Sequence, residues 1–252
     1  TQLANANSIS INDNGDSGLL FETGTPNYTS MPIIRETSLT GCWKFNEGTG
    51  TKMYDLSGRN NHGTLTNGPT WALLDSGRSV LELDGIDDWI NCATGADMGG
   101  DSLTWNFWIK TSDDQGSAIL SKAGIGKGDF DVPISGSDNA IFYFMPACYL
   151  YYLPRSQSAN TVDGTWHFFT GVIDRKINKV FVYLDGVENT SSTKTCISTI
   201  PIVNNTAFAI GKSLSGGGYY QGQIGEVQTY RRVLSTQEIY AIYNKTKADY
   251  GL

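Results

Sequence analysis

Reactive side chains are scarce in this chain. It has two histidines, His62 and His167, and four cysteines among 252 residues. None of Cys42, Cys92, Cys148 and Cys196 falls in a CxxC pair, which argues against a zinc ribbon or a thioredoxin-type dithiol. No serine or cysteine occupies a GxSxG elbow. Charge is also sparse: 17% of residues are charged, and 18 Lys and Arg face 25 Asp and Glu, a formal net charge of -7. With no basic stripe to neutralise phosphates, nucleic acid is not an expected partner. No apolar run approaches the ~20 residues that a membrane-spanning helix needs, and the longest aromatic stretch, Ile141 to Leu153, is broken by Pro146. The chain opens at Thr1 rather than at methionine, so a processed or excised segment is expected, with its targeting sequence out of view.

What is abundant is turn and strand material. Gly 29, Tyr 13, Phe 10 and Trp 6 describe many short strands joined by glycine turns, not a helical bundle. Leu103, Trp105, Phe107 and Ile109 recur at every second position, with Thr104, Asn106 and Trp108 facing the other way, so one face must be core. Val180, Val182 and Leu184 alternate with Phe181 and Tyr183 in the same manner. Asp185-Gly186 then supplies the positive φ angles of a two-residue hairpin turn, and Asp84-Gly85 is expected to do the same. Near the end, Gly222 to Tyr243 holds a strand, a turn and the one convincing helix. Ser235-Thr-Gln-Glu238 is a capping box, Leu234 and Ile239 form a hydrophobic staple, and Ile239, Ile242 and Tyr243 make one apolar stripe. Residues 1–38, rich in Asn and Ser and without sustained periodicity, read as an arm or linker with a short strand at Gly18 to Glu22; residues 39–252 form the domain. The expected fold is all-β, an antiparallel sandwich with one short C-terminal helix.

A resemblance supports that expectation. GCWKFNEGTGTKMYDLSGRNNHGTLTNGPTW, from Gly41, is similar to the opening of laminin-G-like, concanavalin A-like jelly-roll domains of bacterial surface and secreted proteins. VLELDGIDDWINC resembles the Asp-Gly segment of that family, SLTWNFWIKT its core Trp strand, and DGTWHFFTGVID its Trp-His strand. KVFVYLDGVEN resembles its Tyr-x-Asp-Gly hairpin, and GYYQGQIGEVQTYRRVLSTQEIYAIY its closing strand and helix. These landmarks follow in the family's order across roughly residues 39–245. The resemblance implies a lectin-like sandwich acting outside the cell or at its surface.

Candidate chemistry is limited. Glu82, Asp84 and Asp87 have the look of a glucanase carboxylate strand, but the third acid lies beyond the Asp-Gly turn and out of phase, so a hairpin is the preferred reading. His167 follows Trp166 in a strand and reads as a packed residue. Hard cations such as Ca²⁺ take six to eight oxygens, which Asp55, Asn60 and the carbonyl of His62 in DLSGRNNHG have the character to supply. In the resembling family this loop helps hold a structural calcium with an acidic pair of the closing strand. Here Ile-Asp-Glu reads Ile224-Gly225-Glu226, so calcium would rest on Asp55 and Glu226 with one carboxylate missing; Asx-held turns are the alternative. Tyr149, Tyr151, Tyr219 and Tyr220 are candidates to stack on sugars, against ordinary sheet packing. Cys148 and Cys196, in tyrosine- and threonine-rich surroundings, are the expected disulfide if one exists, with buried free thiols the alternative. Asn27, Asn189, Asn204 and Asn244 begin N-x-S/T triplets that would carry glycans in a eukaryotic secretory route. The function expected is a non-catalytic extracellular binding or adhesion module for a glycan or cell-surface protein. The alternative is a structural head of a pilus-like or adhesin assembly, and a glycoside hydrolase or lyase comes third.

Overall fold

The structure, a computed structural model, describes residues 37–96, 102–113, 117–122, 129–135, 139–140, 143–145, 161–188, 207–214, 216 and 218–252. Tyr149, Tyr151, Cys148, Cys196 and the arm up to residue 36 lie outside these residues.

In chain order the strands begin with β1 (Leu39–Trp43), β2 (Lys52–Met53), β3 (Gly63–Thr66), β4 (Thr70–Leu73), β5 (Ser79–Asp84) and β6 (Trp89–Asn91). Next come β7 (Leu103–Lys110), β8 (Ala118–Lys122), β9 (Asp129–Ser135), β10 (Asn139–Ala140) and β11 (Tyr143–Met145). The last are β12 (Trp166–Asp174), β13 (Lys179–Leu184), β14 (Val187–Glu188), β15 (Phe208–Ile210) and β16 (Gln221–Tyr230), followed by α1 (Thr236–Thr246) and a 3-10 turn, Lys247–Tyr250. Among the described residues they form two antiparallel sheets. The first runs β14-β13-β12-β7-β16-β5-β4, with β1 also on β16; the second runs β10-β9-β8-β15-β6-β3-β2, with β11 on β9. The architecture observed is thus the all-β sandwich with, among the described residues, a single short α-helix.

β16 organises the first sheet. From Gln223 to Tyr230 it follows β7 on one side, while on the other its first half pairs with β5 and its second half with β1. The register shifts between Ile224 and Val227. An extra residue at such a bulge resets the alternation, and both Ile224 and Val227 join the core between the sheets. That core also takes Trp43, Leu81, Leu83, Phe107 and Phe169 from the first sheet and Leu65, Ile90, Phe208 and Ile210 from the second. Such side chains contribute roughly 1.5–3 kcal/mol each when fully buried.

The other face of the first sheet is covered as well. Val80, Trp108, Phe168, Tyr183 and Tyr230 form a second cluster with Leu234 and Ile239 of the helical segment and Tyr250. Trp108 stacks on Tyr250 at 4.2 Å between ring centroids, and its indole N–H donates to Thr246 Oγ1 at 3.0 Å. Strand β7 is therefore buried on both faces. The capping box that starts α1 is formed: Ser235 accepts from Glu238 N while the Glu238 carboxylate accepts from Ser235 N. Asp185 and Gly186 both have positive φ, 51° and 78°, and join β13 to β14 as the expected hairpin.

Asp84-Gly85 departs from expectation. β5 belongs to the first sheet and β6 to the second, so this turn carries the chain across the sandwich instead of closing a hairpin. Asp84 Oδ1 accepts the backbone N–H groups of Ile86 and Asp87, and Asp88 Oδ2 accepts Asp84 N–H. The acids that suggested a hairpin are the caps of a crossing loop.

Candidate functional site

Alternation in three neighbouring strands determines the site. In β5, Leu81 and Leu83 point into the core, which leaves Glu82 and Asp84 exposed on the opposite face. Gln223 of β16 pairs with Glu82 on one side and with Lys110 of β7 on the other. Gln221 pairs with Asp84, and Thr70 of β4 extends the row beyond Glu82. Residues opposite one another in antiparallel strands put their Cβ atoms about 4.5–5.5 Å apart on one face. A polar row, Thr70–Glu82–Gln223–Lys110, therefore crosses four strands.

This row floors an open cleft of about 890 Å³ that also takes in Asn67, Asp88, Thr111, Ser112, Asp113, Gly164 and Gly222. Gly222 is needed there. It has φ 138°, and a Cβ would come within 2.5 Å of Lys110 O and 2.9 Å of the Tyr220 hydroxyl. Within the described residues, the side chains of Glu82, Lys110, Gln221 and Gln223 make no hydrogen bond or ion pair with the protein. For Gln223 this is unusual, because its Oε1 is buried and has no donor; leaving such an acceptor unsatisfied costs roughly 1–3 kcal/mol. With Gln221 beside it, the row offers a carboxylate, two amides and an ammonium, which together can donate to and accept from adjacent hydroxyl groups.

The loop read from the sequence as a calcium site is occupied differently. The Asp55 carboxylate accepts four hydrogen bonds, from Cys42 N, Ser57 N, Ser57 Oγ and Asn61 N. Asn60 is exposed, in the left-handed conformation with φ 60°. The His62 ring is drawn in through Nδ1, which accepts Asp55 N–H at 3.0 Å. Glu226 is buried and held by Gln228 Nε2 at 2.6 Å and Arg78 at 3.4 Å. This donor set does not fit a cation: Asp55 is filled by N–H and O–H donors, and a guanidinium already neutralises Glu226. Asp55 and Glu226 do share a neighbour, Cys42, whose thiol pKa is pushed up by burial first and then by Glu226 and Asp55. Asp84, Asp87 and Asp88 bring three carboxylates within 4.8 Å, but Asp84 and Asp88 act as the loop caps described above.

Gly225, read as a missing carboxylate, has a structural reason. A Cβ there would lie 2.3 Å from the Tyr250 hydroxyl, which accepts Glu226 N–H at 2.9 Å. The Tyr250 phenol occupies that space.

The two tyrosines that follow the glycine run part company. Tyr220 is fully buried, and its hydroxyl donates to the carbonyls of Lys110 and Gln223. It is a core residue and meets no ligand, contrary to the sequence expectation. Tyr219 is half-buried, and its ring centroid lies 5.0 Å from the Lys212 ammonium, which is also 4.6 Å from the Trp89 ring centroid. Cys42 and Cys92 are buried free thiols.

His167 packs, and it also bonds at both ring nitrogens. Nδ1 lies 3.0 Å from Asp185 Oδ2, and Nε2 lies 3.3 Å from Asp163 Oδ1. The hydrogen bond to Asp185 is the main influence raising its pKa; burial opposes, and the charges of both acids add to the rise.

Gln221, Gln223, Lys110, Trp89 and Lys212 were not singled out from the sequence. The alternation of Glu82 with Leu83 and of Gln223 with Ile224 signals which side chains leave the core, but strand pairing alone makes them neighbours.

A family model described as the concanavalin A-like lectin/glucanases superfamily matches residues 84–240, more than half of the chain. Among solved structures, domain 4 of AbnA, a GH43 extracellular arabinanase from Geobacillus stearothermophilus solved with arabinotriose, is similar at TM-score 0.64 and 19% identity, covering 83% of this chain and 100% of that one. The binding domain of Paraclostridial Mosquitocidal Protein 1 gives TM-score 0.62 and 12% identity, over 83% of this chain and 52% of that one. Trypanosoma rangeli sialidase solved with sialic acid gives 0.62 and 15%, over 86% of this chain and 34% of that one. At these identities the likeness is one of fold. A search of curated proteins finds no match.

Proposed function

Because the chain belongs to the concanavalin A-like lectin/glucanase superfamily, we propose that it is an extracellular, non-catalytic module that binds glycans in the polar cleft of its first sheet. The observation that carries this reading is the row Glu82–Gln223–Lys110, whose side chains face an open cleft uncommitted to the protein, with the Gln223 Oε1 buried and lacking a donor. A sugar in the cleft can draw that amide outward, one O–H donating to Gln223 while its oxygen accepts from Lys110 or Gln221. A neighbour matched over its whole length was solved with arabinotriose, which supports a sugar as the ligand class.

Binding without catalysis is favoured by the roles of the acids. Asp84 and Asp88 cap the crossing loop, so Glu82 has no uncommitted carboxylate on its own strand to complete an acid and nucleophile pair at about 5–5.5 Å. Among the described residues that line the cleft there is no aromatic ring. Affinity for one short oligosaccharide should accordingly be weak, with Kd roughly 0.1–1 mM, and repeated copies would supply avidity. The test is a glycan array probed with a multivalent form, followed by incubation of each bound polysaccharide with the protein. Capture of defined glycans without release of reducing ends is the expected result. Release that disappears in Glu82→Gln would make the protein a hydrolase, and silence across the array would remove the glycan reading.

A further inference from the structure

A second group of uncommitted donors lies outside the cleft. Trp89 pairs with Thr66 on β3, while its neighbour Ile90 faces the core. Lys212 and Tyr219 face one another across an isolated antiparallel bridge in the segment that returns from β15 to β16. The Lys212 ammonium lies 4.6 Å from the Trp89 ring centroid and 5.0 Å from that of Tyr219. All three residues are half-buried.

Each of these residues ends in a hydrogen-bond donor, and none is committed. Among the described residues the Trp89 indole N–H, the Tyr219 hydroxyl and the Lys212 ammonium form no hydrogen bond or ion pair with the protein. The contrast is with Arg232 and Lys122, whose charged heads are held by a carboxylate and by backbone carbonyls. Two aromatic walls hold the ammonium in place and replace part of its water, which strengthens its attraction for an anion. The same two rings carry an indole N–H and a phenol O–H, two further neutral donors. An acceptor-only group with several lone pairs suits an ammonium with neutral donors on its neighbouring rings, and a carboxylate is such a group.

We propose that Trp89, Lys212 and Tyr219 form a subsite for the carboxylate of an acidic sugar, a uronate or a sialate, separate from the polar cleft. The ring faces and edges provide apolar contact for the sugar's C–H groups, while the ammonium takes the charge. This rests on the glycan-binding reading only in taking a sugar as the carrier of the carboxylate. It also explains how a chain with a formal charge of -7 would retain an acidic polysaccharide: the anion meets a local cation shielded by aromatic walls.

The test is titration of the full chain with oligogalacturonate, with sialyllactose, with carboxyl-reduced oligogalacturonate and with a polyglutamate peptide. Galacturonate and sialyllactose distinguish the two sugar sources of the carboxylate, and binding of either one supports the subsite. Lys212→Gln should weaken that binding about ten-fold or more. Trp89→Phe, which keeps a ring and loses the N–H, should weaken it a few-fold, as should Tyr219→Phe. Rising salt should weaken the wild type and have little effect on Lys212→Gln. Thermal melts of each variant separate lost binding from lost folding. Equal binding of the carboxyl-reduced sugar, equal binding of polyglutamate, or wild-type affinity in folded Lys212→Gln would overturn the proposal. Glu82→Ala/Gln221→Ala keeps the two sites distinguishable. If acidic sugars bind this cleft variant unchanged, the subsite stands independently of the cleft; if neutral sugars bind and acidic ones gain nothing, the subsite fails alone.

Discussion

Gly225 carries more structural weight than a missing carboxylate suggests. The Tyr250 ring fills the volume that any side chain there would need, and its hydroxyl accepts the Glu226 N–H. Gly225→Asp, which supplies the carboxylate the resemblance led us to expect, should therefore expel Tyr250 from its stack on Trp108 and destabilise the fold by about 1–3 kcal/mol or more. Urea denaturation measures this, and an unchanged midpoint would refute the packing argument. A similar division applies to the neighbouring tyrosines. Tyr220→Ala should cost about 3–5 kcal/mol, as for other large buried rings, whereas Tyr219→Ala should stay within about 0.5 kcal/mol. The sequence placed the two together because both follow three glycines. Their separation was not legible there: Tyr220 is held by the carbonyl of Lys110, 110 positions earlier in the chain, and no local pattern encodes that partner.

At the scale of elements, the alternation in β7 and β13 was legible because one face of each must meet the opposing sheet. What alternation could not reveal is that the second face of β7 is also covered. The cover for Trp108 arrives with Thr246, 138 positions later. The capping box was readable in full, since its donors and acceptors lie within four residues. The Asp84-Gly85 turn was misjudged for a physical reason: the same dipeptide chemistry serves a hairpin or a crossing, and pairing partners decide which. His167 gives a pH prediction at this scale, because it joins β12 to the Asp185 turn and to the loop at Asp163. Its pKa is raised above the ordinary 6.5, principally by Asp185. The protonated ring binds both acids, so its stabilisation is complete below pH 6.5 and is lost as pH rises through the elevated folded value. Glu238 acts with the opposite sign. Burial alone would raise its pKa, but Arg232 and Ser235 outweigh burial and lower it from 4.5, so its contribution is present above 4.5 and is lost as pH falls through the lower folded value. Stability should be greatest between these two values. In His167→Gln the melting temperature should lose its decline on the alkaline side of pH 6.5; retention of that slope would assign it to another group.

For the whole molecule, the sandwich emerged from the sequence because strand length, glycine turns and inward alternation all pointed one way. The cleft did not. It exists only where β5, β16 and β7 lie side by side, and Gln221 and Gln223 stand more than a hundred positions from Glu82 and Lys110 in the chain. The central claim is that this cleft binds glycans without cutting them, through Glu82, Lys110, Gln221 and Gln223. Its most direct test is calorimetric titration of an array-selected neutral oligosaccharide into the wild type and into Glu82→Ala/Gln221→Ala. Both substituted residues are exposed, so the variant should melt within a few degrees of the wild type. Losing two hydrogen-bonding side chains, one of them charged, should weaken binding about ten-fold or more. A folded variant that binds the same sugar with wild-type affinity would contradict the account.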